Sequence, residues 1–455
     1  MRGPAPVFTV RRLALSAGTG AICLLALGAS DAAARTMMGG GADAMLYAAL
    51  QRLCGRSLAA APTHGARRLS RRQFRVRGGQ GRRVVWDIGE GRQVVITRLR
   101  TRPGPGRQRG AGSPRPRGGS AQELTFADLV RVGPGGSAPQ LRVVMDGSCQ
   151  ILGGRRVVRE KVNGRILPVR VDQLDVGLRR RRQSLPLNPL VPKGRYRACT
   201  RVGLLDNGVD YTADWLRPHL AYDRAGNLVG KDVWEDDGRP FDYGFPPGGV
   251  DPRRSIFSPN RHGTMVASVL AAYGGSDTCI VPVRYAPFAN GDGVERAVAF
   301  LARSGVRVVS VQSSRRRPWP AFRRAIRRHP QILFVVAAGN AGLDLNRRPL
   351  YPTVYDEPNL LVVAGSEGMD RLWHRSNFGA GVVDVAVRAV NVTVVRFERT
   401  KAKLSGTSFA SPKVAGYAAQ LLARQPHWDV AQVRSAILDA TSGTVGGIPR
   451  LRLER

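Results

Sequence analysis

The chain has 455 residues, 43% of them hydrophobic, and a formal net charge of +38. That length allows one large enzyme domain and a smaller one, and no apolar run reaches the roughly 18 residues of a membrane-spanning helix. The charge comes from arginine, and aromatics make up only 6% of the chain; none interleave with the arginines as base-stacking platforms would, so no specific nucleic-acid partner is expected.

Arg2, Arg11 and Arg12, the apolar stretch Leu13 to Leu27 and Ala32-Ala33-Ala34 have the tripartite form of a secretory signal. Residues 1–34 are therefore read as a signal peptide, and the mature chain as secreted or periplasmic with no transmembrane segment. With Cys23 removed, Cys54, Cys149, Cys199 and Cys279 remain. An even number in an exported chain suits two disulfides, with three pairings open.

Residues 35–100 form an Arg-rich N-terminal region, with a hairpin expected around Gly89-Glu90-Gly91. Residues 101–120 are rich in Gly, Pro and Arg and predict a disordered linker, because such a composition cannot bury a core. Residues 121–182 predict a small β-rich segment, with strands at Leu141 to Met145, Val157-Val158 and Ile166 to Val171. The exposed tetrad Arg179 to Arg182, followed by a Pro-rich stretch, reads as a boundary and a site open to proteolysis.

Within residues 183–455 the pattern changes from Cys199 onward. Short continuous apolar runs predict strands at Val202–Leu205, Ile280–Val283, Val306–Val311, Ile332–Ala338, Leu360–Ala364 and Val382–Val387. Helices are expected at Thr264–Tyr273, Val294–Ser304 and Trp319–Arg328. Runs apolar on both faces and joined by helices indicate an α/β fold, a parallel sheet covered on both sides in three α/β/α layers. Sites in such folds gather at the carboxyl ends of the strands.

Four residues stand at such ends. Asp206 follows a buried strand in LLDNGVD; His262 opens an apolar helix in RHGTMVAS; Asn340 ends a strand in VVAAGN; Ser408 stands before a helix in GTSFASP. Singly each has an ordinary explanation: a turn Asp, a structural His, a left-handed turn Asn, an N-cap Ser. Together they supply a group that orients a base, the base, an oxyanion donor and a nucleophile, in the chain order Asp, His, Ser.

Through LLDNGVD, HGTMVAS, VVAAGN, SNFG (376–379) and GTSFASP, residues from about 196 to 445 resemble the subtilisin-like (subtilase) peptidase family. The resemblance implies an endopeptidase of polypeptide substrates with catalytic Asp206, His262 and Ser408, and with Asn340 in the oxyanion hole. Departures from the family pattern are Asn207, Met265, Ser268 and Lys413, none at a triad position. By the same resemblance, Gln312, Ser313 and Ser314 form a substrate-binding edge. Leu350 occupies the base of the primary pocket and narrows it against large aromatic P1 residues.

Further expectations follow from the likeness. Cys199 and Cys279 precede strands that are adjacent in this family, which predicts their disulfide and leaves Cys54 with Cys149. The loop holding Asp232, Glu235, Asp236, Asp237 and Asp242 is oxygen-rich enough for a structural Ca²⁺; no other cofactor is required. The region 35–182 has the position of a propeptide. The competing readings are an inactive relative that binds anionic surfaces or nucleic acid, and an esterase. The chain has no Gly-x-Ser-x-Gly elbow, which argues against the esterase.

Overall fold

The structure is a computed structural model that describes residues 65–76, 79–101, 122–133, 136–162, 164–243, 255–258, 261–285, 293–368, 371–397 and 399–453. The proposed signal peptide, Cys54 and nearly all of the Gly/Pro/Arg stretch lie outside the described residues.

Eight strands form one antiparallel meander, each pairing with the next: β1 (Arg67–Val76), β2 (Gly79–Asp87), β3 (Arg92–Thr101), β4 (Gln122–Gly133), β5 (Gly136–Asp146), β6 (Ile151–Val162), β7 (Arg165–Leu174) and β8 (Arg181–Pro186). The β2–β3 hairpin turns at Gly89 and Glu90, as expected. One result differs from the sequence reading. β3 pairs with β4 over its whole length, so the segments on either side of residues 102–121 are neighbours in one sheet. The Arg179–Arg182 tetrad is exposed but marks no boundary: the Arg179 and Arg180 N–H groups donate to Asp175 Oδ1 (2.9 and 3.2 Å), and the chain continues into β8.

The register explains how so basic a sheet buries a core. Val84 and Trp86 on β2 stand opposite Ile96 and Val94 on β3, and next to these lie Ala127 and Leu129 on β4. They form one apolar cluster with Leu141, Val143 and Met145. The arginines occupy strand ends and the opposite face, where most reach water along their long stems and Arg142 is buried.

The second sheet is parallel at its centre. Its order is β10 (Lys231–Asp232), β11 (Thr278–Arg284), β9 (Thr200–Asp206), β12 (Val308–Val311), β13 (Leu333–Ala337), β14 (Leu360–Glu367), β16 (Val385–Arg388), β20 (Ile448–Leu451) and β19 (Thr441–Val445), with β15 (Arg371–Leu372) on β14. A separate hairpin joins β17 (Val392–Val395) and β18 (Lys401–Leu404). Alternate residues feed two cores. Val202, Leu204, Leu333 and Val335 face α1 (His262–Gly274) and α4 (Ser411–Arg424). Leu205, Val283, Phe334 and Val336 face α2 (Gly293–Arg303) and α3 (Pro320–Arg328). A fifth helix, α5 (Val430–Asp439), opens with a capping box at Asp429 and Gln432. The fold is α/β, in three layers.

The chain moves from β9 to β11 on one side of the sheet and then to β12 on the other. The carboxyl end of β9 is therefore the topological switch point, where such folds open a crevice. A disulfide between Cys199 and Cys279 ties the amino ends of β9 and β11, with their Cα atoms 5.8 Å apart. Cys149 is also disulfide-bonded.

Candidate active site

β9 delivers Asp206 to that switch point, where only 4% of its surface is exposed. Its Oδ1 accepts the Asn207 N–H (2.7 Å). Its carboxylate meets His262 Nδ1 at 2.8 Å from Oδ2 and 3.0 Å from Oδ1. A carboxylate only accepts, so Nδ1 carries the proton and a neutral ring keeps Nε2 as its basic nitrogen.

The sequence permits this approach because residue 263 is glycine. A Cβ there would stand 2.0 Å from Gly208 O and 3.3 Å from Asp206 Oδ1. Only a bare backbone lets the start of α1 touch the loop after β9. Arg261, just before the helix, adopts φ 50° and turns the chain sharply into His262.

Ser408 lies in the short turn Thr407–Phe409 that leads into α4. Helix α4 packs on α1 so closely that a Cβ on Gly416 would stand 2.7 Å from Tyr273 C. That contact joins the last turn of α1 to the second turn of α4. The ring of Phe409, next to Ser408, lies 6.1 Å from the His262 ring.

Asn340 follows β13 and reaches the same turn. Its Oδ1 accepts the Thr407 N–H (2.8 Å) and the Thr407 hydroxyl (3.1 Å), and that hydroxyl accepts the Gly339 N–H (3.1 Å). A backbone N–H can only donate, so the oxygen end of the amide must face Thr407. The Nδ2 end is thereby presented as a donor on a solvent-exposed residue. Asn377, from SNFG, supports this loop from beneath: its Oδ1 accepts the N–H groups of Ala341 and Leu343 (both 3.0 Å), and its Nδ2 donates to Ala338 O (2.8 Å).

The expected pocket residues also converge. Arg315 and Tyr351 exchange both backbone hydrogen bonds (2.9 and 2.8 Å), joining the segment after Ser314 to that after Leu350. Leu350 Cδ1 lies 3.4 Å from the place a Cβ on Gly339 would take. Gln312 departs from a substrate-facing role for its side chain. Its Nε2 donates to Ser310 Oγ (2.7 Å) and its Oε1 accepts the Ser411 hydroxyl (3.2 Å), so the amide points inward beneath the Ser408 turn.

The acidic loop is divided among protein donors. Arg284 Nη1 lies 2.5 Å from Asp232 Oδ2, and its guanidinium lies 3.8 Å from the Tyr243 ring centroid. Glu235 accepts from Tyr243 OH and from Asn188 Nδ2. Asp236 pairs with Lys231 and Arg296, and Asp237 accepts the Arg239 N–H. Among the described residues no group of three or more His, Cys, Asp or Glu side chains is placed to hold a metal ion. A guanidinium occupies the heart of the loop, so these residues do not fit a calcium cage.

Asp242, the last of the expected calcium ligands, lies apart from the others, against the first turn of α1. It is fully buried, and its Oδ2 accepts both the N–H and the hydroxyl of Thr264 (2.8 Å each) in the first turn of α1. Its Oδ1 is buried without a hydrogen-bond partner among the described residues. Burial pushes its carboxyl up to about 7, against the pull of Arg261 and Thr264 and with added repulsion from Asp206. Two departures from the family pattern also find partners. Ser268 Oγ accepts the Val395 N–H (3.0 Å), tying α1 to the β17–β18 hairpin. The buried Lys413 donates to Arg388 O (3.0 Å), and burial beside Arg388 lowers its pKa to about 8.

A family model described as Subtilase family matches residues 198–451, more than half of the chain. The chain belongs to the subtilase family. This subtilase is 34% identical over 204 residues to thermitase of Thermoactinomyces vulgaris, covering 41% of this chain and 70% of that protein. It is 30% identical over 262 residues to a thermophilic serine proteinase of Bacillus sp. (strain AK1), covering 53% of this chain and 57% of that one. With M-protease of Shouchella clausii (strain KSM-K16) it shares 28% over 197 residues, covering 40% of this chain and 50% of that protein. The match thus spans only about half the length of the last two relatives.

Proposed function

We propose that this subtilase is an exported serine endopeptidase that cleaves polypeptides through an acyl-enzyme. Ser408 is the nucleophile, His262 the general base and Asp206 its orienting partner. The observation that carries the reading is the His262 Nδ1–Asp206 contact at 2.8 Å, made at the end of β9 beside the turn that bears Ser408. Export is supported by the signal-like sequence of residues 1–34 and by the disulfide between Cys199 and Cys279.

In this mechanism His262 Nε2 takes the Ser408 proton as Oγ attacks the substrate carbonyl. The oxyanion so formed accepts from Asn340 Nδ2 and from the Ser408 N–H. Asp206 holds the tautomer and stabilises the imidazolium. His262 then protonates the leaving amine, and water enters to release the acyl group by the same steps. The substrate backbone pairs along residues 312–314, and Leu350 limits the side chain that enters the primary pocket.

Hydrolysis of an unfolded polypeptide by the wild type and by Ser408→Ala tests the reading. A loss of about 10⁶ in kcat is expected for the variant. Equal rates would remove Ser408 from the mechanism.

A further inference from the structure

The approach to His262 is gripped from outside its own domain. Arg142 on β5 is only 3% exposed and binds Asp128 through two 2.6 Å hydrogen bonds. Its remaining edge donates to Ser255 Oγ (3.0 Å), and its guanidinium lies 4.8 Å from the Phe257 ring centroid. Arg155 stands opposite Arg142 on β6; its Nη1 donates to Phe257 O and to Ser258 Oγ (2.6 Å). From the other side, Arg261 Nη2 donates to Pro186 O (2.9 Å), the last residue of β8, and Nη1 to Asp242 O. Val157 and Val171 of the same sheet face join the core that holds Phe257, Phe241 and Val266.

These contacts are not those of a leader made to leave. Removing the sheet would expose Phe257 and strip the donors from a segment that ends at the base. Three guanidinium groups, Arg142 nearly dry and Arg155 and Arg261 half-buried, also cost desolvation that only their bonded partners offset.

We propose that the N-terminal sheet is a permanent brace that positions His262 by holding Ser255–Ser258 and Arg261. It is therefore retained in the working enzyme rather than shed as a propeptide. Arg142 and Arg155 are positioning residues, since neither touches the reacting groups. The inference rests on the peptidase reading above.

The test compares full-length wild type, Arg155→Gln, Arg155→Lys and Ser258→Ala, following kcat, KM and the intact mass during turnover. A small displacement of the base lowers kcat by about ten- to a hundredfold. That fall is expected for Arg155→Gln, with KM nearly unchanged and with partial recovery in Arg155→Lys, which keeps one donor. Ser258→Ala removes only one acceptor, so it carries the test if Arg155→Gln does not fold; a smaller fall in kcat at constant KM is then expected. Variants with wild-type kcat, or a wild type that sheds residues 65–182 and keeps its kcat, would overturn the brace and leave the peptidase reading intact. A wild type with no hydrolysis at all would overturn both.

Discussion

Asn340 Oδ1 accepts the Thr407 N–H at 2.8 Å, so the residue preceding the proposed nucleophile decides which end of the Asn340 amide is left to donate. The proposed oxyanion site would thereby be built before substrate arrives, and the orientation would cost nothing at the moment of reaction.

Replacing that donor should damage turnover more than binding. Asn340→Ala is expected to lower kcat by about 10²–10³ with little change in KM. Asn340→Asp keeps the oxygen that holds Thr407 and puts negative charge where the oxyanion forms, so it should be at least as impaired. Steady-state kinetics on a peptide amide would check both. A large rise in KM at constant kcat would assign Asn340 to ground-state binding instead.

The pocket assignment predicts a change of specificity. Leu350→Gly removes the side chain beside Gly339 and should raise cleavage after Phe or Tyr relative to Ala. One methylene in such a pocket is worth about 10–200-fold, so a change of at least that order is expected. Cleavage-site profiling on a peptide library measures the ratio; an unchanged profile would move the primary pocket elsewhere.

Asp242 gives a pH prediction. Its carboxyl stands at about 7 in the folded chain against an ordinary 3.8, raised chiefly by burial. Between those values the folded state holds a proton that the unfolded state has released. Stability at this site is therefore full below about pH 4 and is lost as pH rises through 7. Asp242→Asn stays neutral and should flatten the fall in melting temperature over that window. An identical pH slope in wild type and variant would show that Asp242 is ionised throughout.

Arg284 leads to a prediction about metals. Its guanidinium already supplies the positive charge among Asp232, Glu235 and Tyr243. A chelator should leave the melting temperature of the purified protein unchanged. A fall of several degrees, reversed by added Ca²⁺, would place a calcium ion in the fold.

Much of the α/β region was legible because its signals are local. The run Val202–Leu205 lies within β9 (Thr200–Asp206), and the helix expected at Thr264–Tyr273 begins two residues earlier, at His262. Strands buried on both faces leave continuous apolar runs, and glycines at points of closest approach mark the motifs. The N-terminal sheet was less legible. Pairing of β3 with β4 spans residues 102–121, and no local periodicity encodes such a partner. Arginines at strand ends also mask the alternation of Val84, Trp86, Val94 and Ile96. Within the site, Asp206 meets His262 and Asn340 reaches the turn that bears Ser408, each from a motif read in the sequence. Asp242 was expected only as a calcium ligand, and Thr407 and Arg142 had no expected role, because their importance comes from partners distant in the chain: Thr264, Asn340 and Ser255. Gln312 was assigned by position alone, and its inward turn depends on Ser310 and Ser411.

The most direct measurement is covalent labelling by a fluorophosphonate probe, with the modified residue located by peptide mass spectrometry. The account predicts one label, on Ser408, in the wild type, and labelling slowed by about 10⁴ in Asp206→Asn, where the imidazole loses its orienting carboxylate. Labelling at another residue, or an equal rate in the two proteins, would contradict it.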